Sequence, residues 1–252
     1  ISNSFKLTPE ELLNGITPKT KILLINNPCN PTGAIYTKEE LQSLVDICLK
    51  HNIYIISDEI YETLRYIPTF TSVASLSNKA KNITITINGL SKSAAMTGWR
   101  IGYTASNKEL AKAMSTIQGH LVSHPSTVSQ WAALGALEST QSYLSERIKD
   151  YQLRRDLVLK ELSKIDSISY IEPEGAFYIF INIGDYKKYF NNTDSYSVTF
   201  CERLLDDYGV AIVPGIAFGN DDFIRIIYCT DINQVLIGVK KLKLFLDKLK
   251  EK

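Results

Sequence analysis

The sequence predicts an α/β protein with a mainly parallel sheet, followed by a C-terminal α+β region. Two observations carry this expectation. Short, nearly continuous apolar runs alternate with capped helices up to Ala105, the pattern of strands buried on both faces. Beyond a long, charged helical stretch, short strands and flanking helices follow in a different rhythm.

The elements can be justified in order. Thr8, Pro9 and Glu11 form a capping-box helix start. Residues 21–26 (KILLIN) read as a buried strand. Thr37 with Glu40 is a second capping box, opening a helix to about Lys50 with Leu41, Leu44, Val45, Cys48 and Leu49 on one face. Residues 53–57, 82–88 and 100–105 continue the strand series. Helices are expected over 107–121, 126–139 and 142–163, with Pro125 separating the first two. The third is rich in charge and reads as a connector. Strands at 167–171, 177–183, 210–213 and 224–228, with helices at 195–208 and 232–249, make up the α+β region. The expected division is 1–141, 142–163 and 164–252.

Composition narrows the function classes. Apolar residues make up 44% and charged residues 22% of 252 residues, which excludes a disordered chain. Twenty-eight basic against 27 acidic residues leave +1, so no strong field favours nucleic acid or an anionic membrane. Cys29, Cys48, Cys201 and Cys229 show no pairing or metal pattern and read as reduced, buried thiols. Three histidines without metal-ligand spacing predict no metal site. No apolar run reaches membrane-spanning length, and the first residues lack a signal pattern. A cytoplasmic protein is expected. Residue 1 is Ile rather than Met, as in a processed chain or a fragment.

Four polar segments fall at or just after the predicted strand ends: N-P-C-N-P-T-G (27–33), S-D-E-I-Y (57–61), N-G-L-S-K (88–92) and T-G-W-R (97–100). The carboxyl edge of an open α/β sheet is where ligands bind. Lys92 lies in a small, polar turn after a strand, where desolvation shifts a lysine readily. Asp58 ends a very apolar strand and needs a partner there. Tyr61 follows three residues on. Arg225 stands among Phe223, Ile224, Ile226 and Ile227, a costly place for an unpaired guanidinium.

These motifs, with A-M-T-G-W-R-I-G-Y (95–103) and the late F-I-R-I-I-Y (223–228), resemble the class I/II aminotransferases, pyridoxal-phosphate (PLP) enzymes of fold type I, and most of all their aspartate aminotransferase branch. They occur in family order from about Leu7 onward. The resemblance implies a truncated large PLP-binding domain (1–141), a connector helix and a small C-terminal domain (164–252). It implies that Lys92 condenses with the cofactor's aldehyde and moves the proton at the substrate's Cα. Asp58 would pair with the pyridine nitrogen and keep the ring an electron sink. Tyr61 and Asn30 would bond the phenolic oxygen. Arg100 would hold the phosphate, with Ser91 as a second contact. Arg225 would grip the substrate α-carboxylate as a bidentate fork, with Asn30 beside it. Glu174–Tyr178 resembles a loop that packs near that carboxylate. One X-Pro bond of the 27–33 loop is often cis in the family.

Family members extend further at the N-terminus. The missing third carries the Gly/Ser-rich phosphate turn and the aromatic that stacks on the ring, so an incomplete cofactor site and an uncovered sheet edge are expected. In place of a serine three residues before Lys92 the chain has Gly89, and residues 115–125 hold no arginine for a side-chain carboxylate. The implied reaction is amino transfer between an amino acid, aspartate first, and a 2-oxo acid, 2-oxoglutarate first. The implied partners are those small molecules, and a second copy in a homodimer. A PLP-dependent C–S β-lyase, an inactive incomplete fragment, or the sensor domain of a regulator are the alternatives.

Overall fold

The computed structural model describes residues 3–190 and 194–251. Two compact units divide them. One holds the described residues up to Cys29 together with Ala34–Ile148; the other holds Asn30–Gly33 and the residues from Lys149 on.

In the first unit, α1 (Pro9–Gly15) and α2 (Lys38–His51) both open with complete capping boxes, at Thr8/Glu11 and Thr37/Glu40. The sheet has the order β1 (Ile22–Asn26), β2 (Tyr54–Asp58), β3 (Thr84–Gly89), β4 (Gly102–Ala105). The first three strands run parallel and β4 is antiparallel to β3. Helix α3 (Asn78–Ile83) precedes β3.

Leu23, Ile25 and Ile55 pack into a core with Leu12 of α1, Leu41, Leu44, Val45 and Cys48 of α2, and Ala80 of α3. The alternate positions differ from the sequence expectation. Ile22 and Leu24 are 52% and 67% exposed, so β1 is buried on one face only. The pleat sends alternate side chains to opposite faces, and the described helices of this core cover just one.

Beyond β3 come the short α4 (Leu90–Ser93), α5 (Lys108–Leu121) and α6 (Thr127–Leu162). The sequence predicted two helices over 126–163, but α6 is continuous through 36 residues. The Ser-Thr-Gln-Ser stretch at 139–142 contains neither proline nor glycine, and its residue types lower helix propensity by only a few tenths of a kcal/mol each.

The second unit contains an antiparallel sheet of order β5 (Ser169–Tyr170), β6 (Tyr178–Asn182), β8 (Phe223–Ile227), β7 (Val213–Pro214). Beside the part of α6 from Lys149 on, it carries α7 (Tyr196–Tyr208) and α8 (Ile232–Lys250). Phe180 stacks on Phe223 at 4.6 Å, and Phe200 meets Phe245 edge-on at 5.1 Å. The strand expected at 210–213 starts only at Val213. The α7 C-cap takes the preceding residues: Gly209 adopts φ 64°, and the Gly209 and Val210 N–H groups donate to Leu205 O and Leu204 O.

Candidate active site

The carboxyl ends of β2 and β3 gather five of the residues the sequence singled out. Asp58 closes β2, and its Oδ1 accepts from the Ile60 N–H at 3.2 Å, which starts the turn that carries Tyr61. Tyr61 is buried. Ser91 and Lys92 lie on α4, directly after β3, and Lys92 Nζ stands 5.7 Å from the centre of the Tyr61 ring. Arg100 precedes β4 rather than ending a strand. It reaches the same edge because β4 is antiparallel, with Gly102 paired to Gly89. Its side chain is exposed, its φ is 52°, and Nη1 donates to Thr97 O at 2.9 Å.

The turn bearing Lys92 is supported from below. Leu90 and Met96 pack with Ala133 of α6. Ser129 Oγ donates to Trp99 O at 2.8 Å, and Arg147 Nη1 donates to Ser93 O at 3.1 Å.

Glu59, beside Asp58, has a different task. It is 2% exposed, and its Oε1 accepts from Ser57 Oγ at 2.8 Å, Ser72 Oγ at 3.0 Å and Val73 N at 3.2 Å. Burial pushes its carboxyl up from the ordinary range, against the hydrogen bonds. Glu59 therefore fastens the chain after Tyr61 back onto β2. Sequence reasoning missed it; the signal was a second acid directly after an apolar strand.

In the other unit, Asn30 and Arg225 are brought together. Arg225 Nη1 donates to Asn30 Oδ1 at 2.8 Å. The guanidinium carbon lies 4.6 Å from the Tyr178 ring centre and 4.8 Å from that of Phe218. Its Nε is buried and has no hydrogen-bond partner, a demanding place for a charged donor. Tyr178 lies in the segment the sequence flagged; Phe218 carried no signal.

The segment holding Asn30 lies against residues 173–175. Both Asn27–Pro28 and Asn30–Pro31 are cis. Gly33 O accepts from the N–H groups of Glu174 and Gly175 at 2.9 and 3.0 Å. Gly33 has φ +72°, and a Cβ there would meet Pro173 Cβ at 2.5 Å. Arg155, 8% exposed, donates from Nη1 to Pro173 O at 2.8 Å and holds that stretch in turn.

Among the described residues no group of three or more His, Cys, Asp or Glu could hold a metal ion, and no helix is long and apolar enough to cross a membrane.

Comparison with known proteins shows the family of the chain. Residues 1–242 match the family described as aminotransferase class I and II. The chain is 41% identical over 249 residues to an aspartate aminotransferase of Bacillus subtilis (strain 168), a match covering 98% of this chain and 62% of that protein. The crystal structure of an aspartate aminotransferase from Rhizobium meliloti superposes with a TM-score of 0.90 at 39% identity, over 98% of this chain and 63% of that one. An aromatic aminotransferase from Pyrococcus horikoshii OT3 also gives 0.90, at 37% identity, over 99% and 66%. The chain thus spans about 62% of the length of the curated relatives it matches. It belongs to the class I and II aminotransferases, a family whose members use pyridoxal phosphate.

Proposed function

We propose that the chain is the greater part of a PLP-dependent transaminase. It moves an amino group between an amino acid, aspartate in the first instance, and a 2-oxo acid, 2-oxoglutarate in the first instance. One observation carries the reading: Lys92 Nζ lies 5.7 Å from the ring of a buried Tyr61, itself three residues beyond the carboxylate that ends β2. A primary amine, a phenol, a carboxylate and a guanidinium are the groups that the cofactor's aldehyde, phenolic oxygen, ring nitrogen and phosphate call for.

Bound PLP supplies an electron sink for negative charge at the substrate's Cα. In this reading Lys92 holds the cofactor and carries the proton to and from that Cα. Asp58 accepts the ring N–H. Tyr61 and Asn30 hydrogen-bond the phenolic oxygen. Arg100 and Ser91 bind the phosphate. Arg225 binds the substrate α-carboxylate with Asn30 at its flank; the unpartnered Nε supports this, because a carboxylate would satisfy it together with a terminal nitrogen. We also propose that 1–141 form the C-terminal part of a large cofactor-binding domain, 142–163 a connector and 164–252 a small domain; the change of compact unit within α6 supports this. A cytoplasmic homodimer completes the proposal, supported by four free cysteines and by exposed Leu121, Val128 and Trp131.

A C–S β-lyase is the second reading, since one fold hosts several PLP reactions. The test follows 15N from L-aspartate into glutamate with PLP and 2-oxoglutarate present. The transaminase reading predicts labelled glutamate. Pyruvate and ammonia from cystathionine, without an oxo-acid acceptor, would favour the lyase. Neither product would favour the incomplete fragment.

A further inference from the structure

Lys92 sits on a helical turn of four residues, too short to be held by its own hydrogen bonds. Asn88 supports its start. This residue is 8% exposed, and its amide spans two elements. Oδ1 accepts from the Gly89 N–H at 2.7 Å, and Nδ2 donates to Glu62 Oε1 at 2.7 Å. Glu62 directly follows Tyr61, so one side chain ties the start of the Lys92 turn to the turn carrying the phenol.

Both ends of this tie are themselves anchored. The Glu62 N–H donates to Glu59 O at 2.9 Å, and Glu62 O accepts from Arg65 Nη1 at 2.8 Å. Gly89 leaves little slack: a Cβ there would lie 3.1 Å from Gly102 Cα and 3.3 Å from Ile60 Cδ1. A hydrogen bond donated by a mostly buried amide to a carboxylate is both strong and directional.

We propose that Glu62 and Asn88 are positioning residues for Lys92, their hydrogen bond setting the lysine's amine against Tyr61. The proposal rests on the reading of Lys92 as the reacting lysine. The effect of the bond on Lys92 can nevertheless be measured without cofactor. Neither residue needs to touch substrate; each acts through the turn it holds.

The test is a double-variant cycle. Asn88→Asp keeps an acceptor for the Gly89 N–H but turns a carboxylate toward Glu62. Glu62→Gln keeps an acceptor for Asn88. The double variant Glu62→Gln/Asn88→Asp restores the bond with its polarity reversed. The readout is the rate of trace acetylation of Lys92 by acetic anhydride in the cofactor-free chain, mapped by peptide mass and normalised to the other lysines. The pH midpoint of the visible absorbance band after loading with PLP is read alongside, with thermal melting as a control. Asn88→Asp is expected to change the Lys92 rate about tenfold, the weight of one charged hydrogen bond, while Glu62→Gln stays within about twofold. The double variant is expected to return toward the parent in both rate and midpoint. Lower melting of Asn88→Asp with an unchanged Lys92 rate, or no recovery in the double variant, would overturn the proposal. Should Asn88→Asp fail to fold, Glu62→Ala against Glu62→Gln makes the same comparison. A parent chain that takes up no PLP at Lys92 would sink the functional reading alone, and the acetylation cycle would still decide the role of the pair.

Discussion

At Arg225, two aromatic rings and one amide oxygen fix the guanidinium while its Nε stays unsatisfied. In the proposed function this arginine receives a bidentate carboxylate, and a lysine would lack the planar fork for it. Arg225→Lys is expected to raise KM for the amino acid about tenfold to a hundredfold, with a smaller change in kcat. An unchanged KM would remove Arg225 from substrate binding. Glu59 calls for a different experiment. Its carboxylate holds two hydroxyls and one main-chain N–H in a buried place. Glu59→Ala leaves all three unmet and is expected to cost about 3 kcal/mol, whereas Glu59→Gln keeps an acceptor and sheds the buried charge. Urea denaturation of the two variants separates them; equal losses would contradict the assigned role. The types and chain positions of Lys92, Asp58, Tyr61 and Arg225 could be read from motifs, because each stands out against an apolar strand or a small polar turn. Glu59 and Asn88 stand in the same motifs, but their tasks, and that of Glu62, could not be read, because their partners Ser72, Val73 and one another are set by the fold rather than by neighbours in sequence.

At the scale of the element, helix starts were the most legible features, since a capping box is written in four consecutive residues and needs no tertiary help. Strand ends and the α6 boundary were less so. The antiparallel direction of β4 was invisible, because a four-residue strand reads the same in either direction. Helix α7 shows how a distant residue sets a helix start. Asp221 accepts from Ser195 Oγ at 2.6 Å, Ser197 Oγ at 2.7 Å, Tyr196 N at 2.8 Å and Ser197 N at 3.0 Å. Burial pushes its carboxyl up, but these bonds outweigh that and bring it down to about 2. A depressed folded-state pKa gives stability that is complete above the unfolded value, about 3.9, and is lost as pH falls toward the folded one. Asp221→Asn is therefore expected to lower stability at neutral pH, with the gap to the parent closing as pH drops from 4 toward about 2. A gap that does not change with pH would contradict this. The Asn30–Gly33 segment depends on Gly33 having no side chain. Gly33→Ala is expected to cost about 3 kcal/mol from positive φ and overlap with Pro173. Unfolding midpoints check this, and a neutral substitution would show the segment to be looser than described.

For the whole molecule, the sequence conveyed the α/β class and the later change of texture, but not which sheet face stays open. The apolar runs read as doubly buried strands, yet Ile22, Leu24 and Tyr54 are exposed, and so are Ile117, Leu121, Val122, Val128 and Trp131. In the proposed homodimer, exposed side chains such as Val128 and Trp131 of α6 are the ones a second copy would cover. Both tryptophans, Trp99 and Trp131, lie in the first unit and are 45% and 69% exposed. Their emission should be red-shifted and readily quenched by iodide in dilute solution. A blue shift that grows with protein concentration, together with a rise in mass by sedimentation, is expected if a second copy covers this surface. Emission independent of concentration would count against the homodimer.

Everything proposed for the reaction depends on Lys92 being the lysine that reacts with PLP. Reductive trapping tests it most directly: the chain is incubated with limiting PLP, reduced with borohydride, digested and mapped by mass spectrometry. The pyridoxyl mark is expected to concentrate on Lys92 and to disappear from that peptide in Lys92→Ala. A mark spread over exposed lysines such as Lys187 and Lys248, with no preference for Lys92, would contradict it.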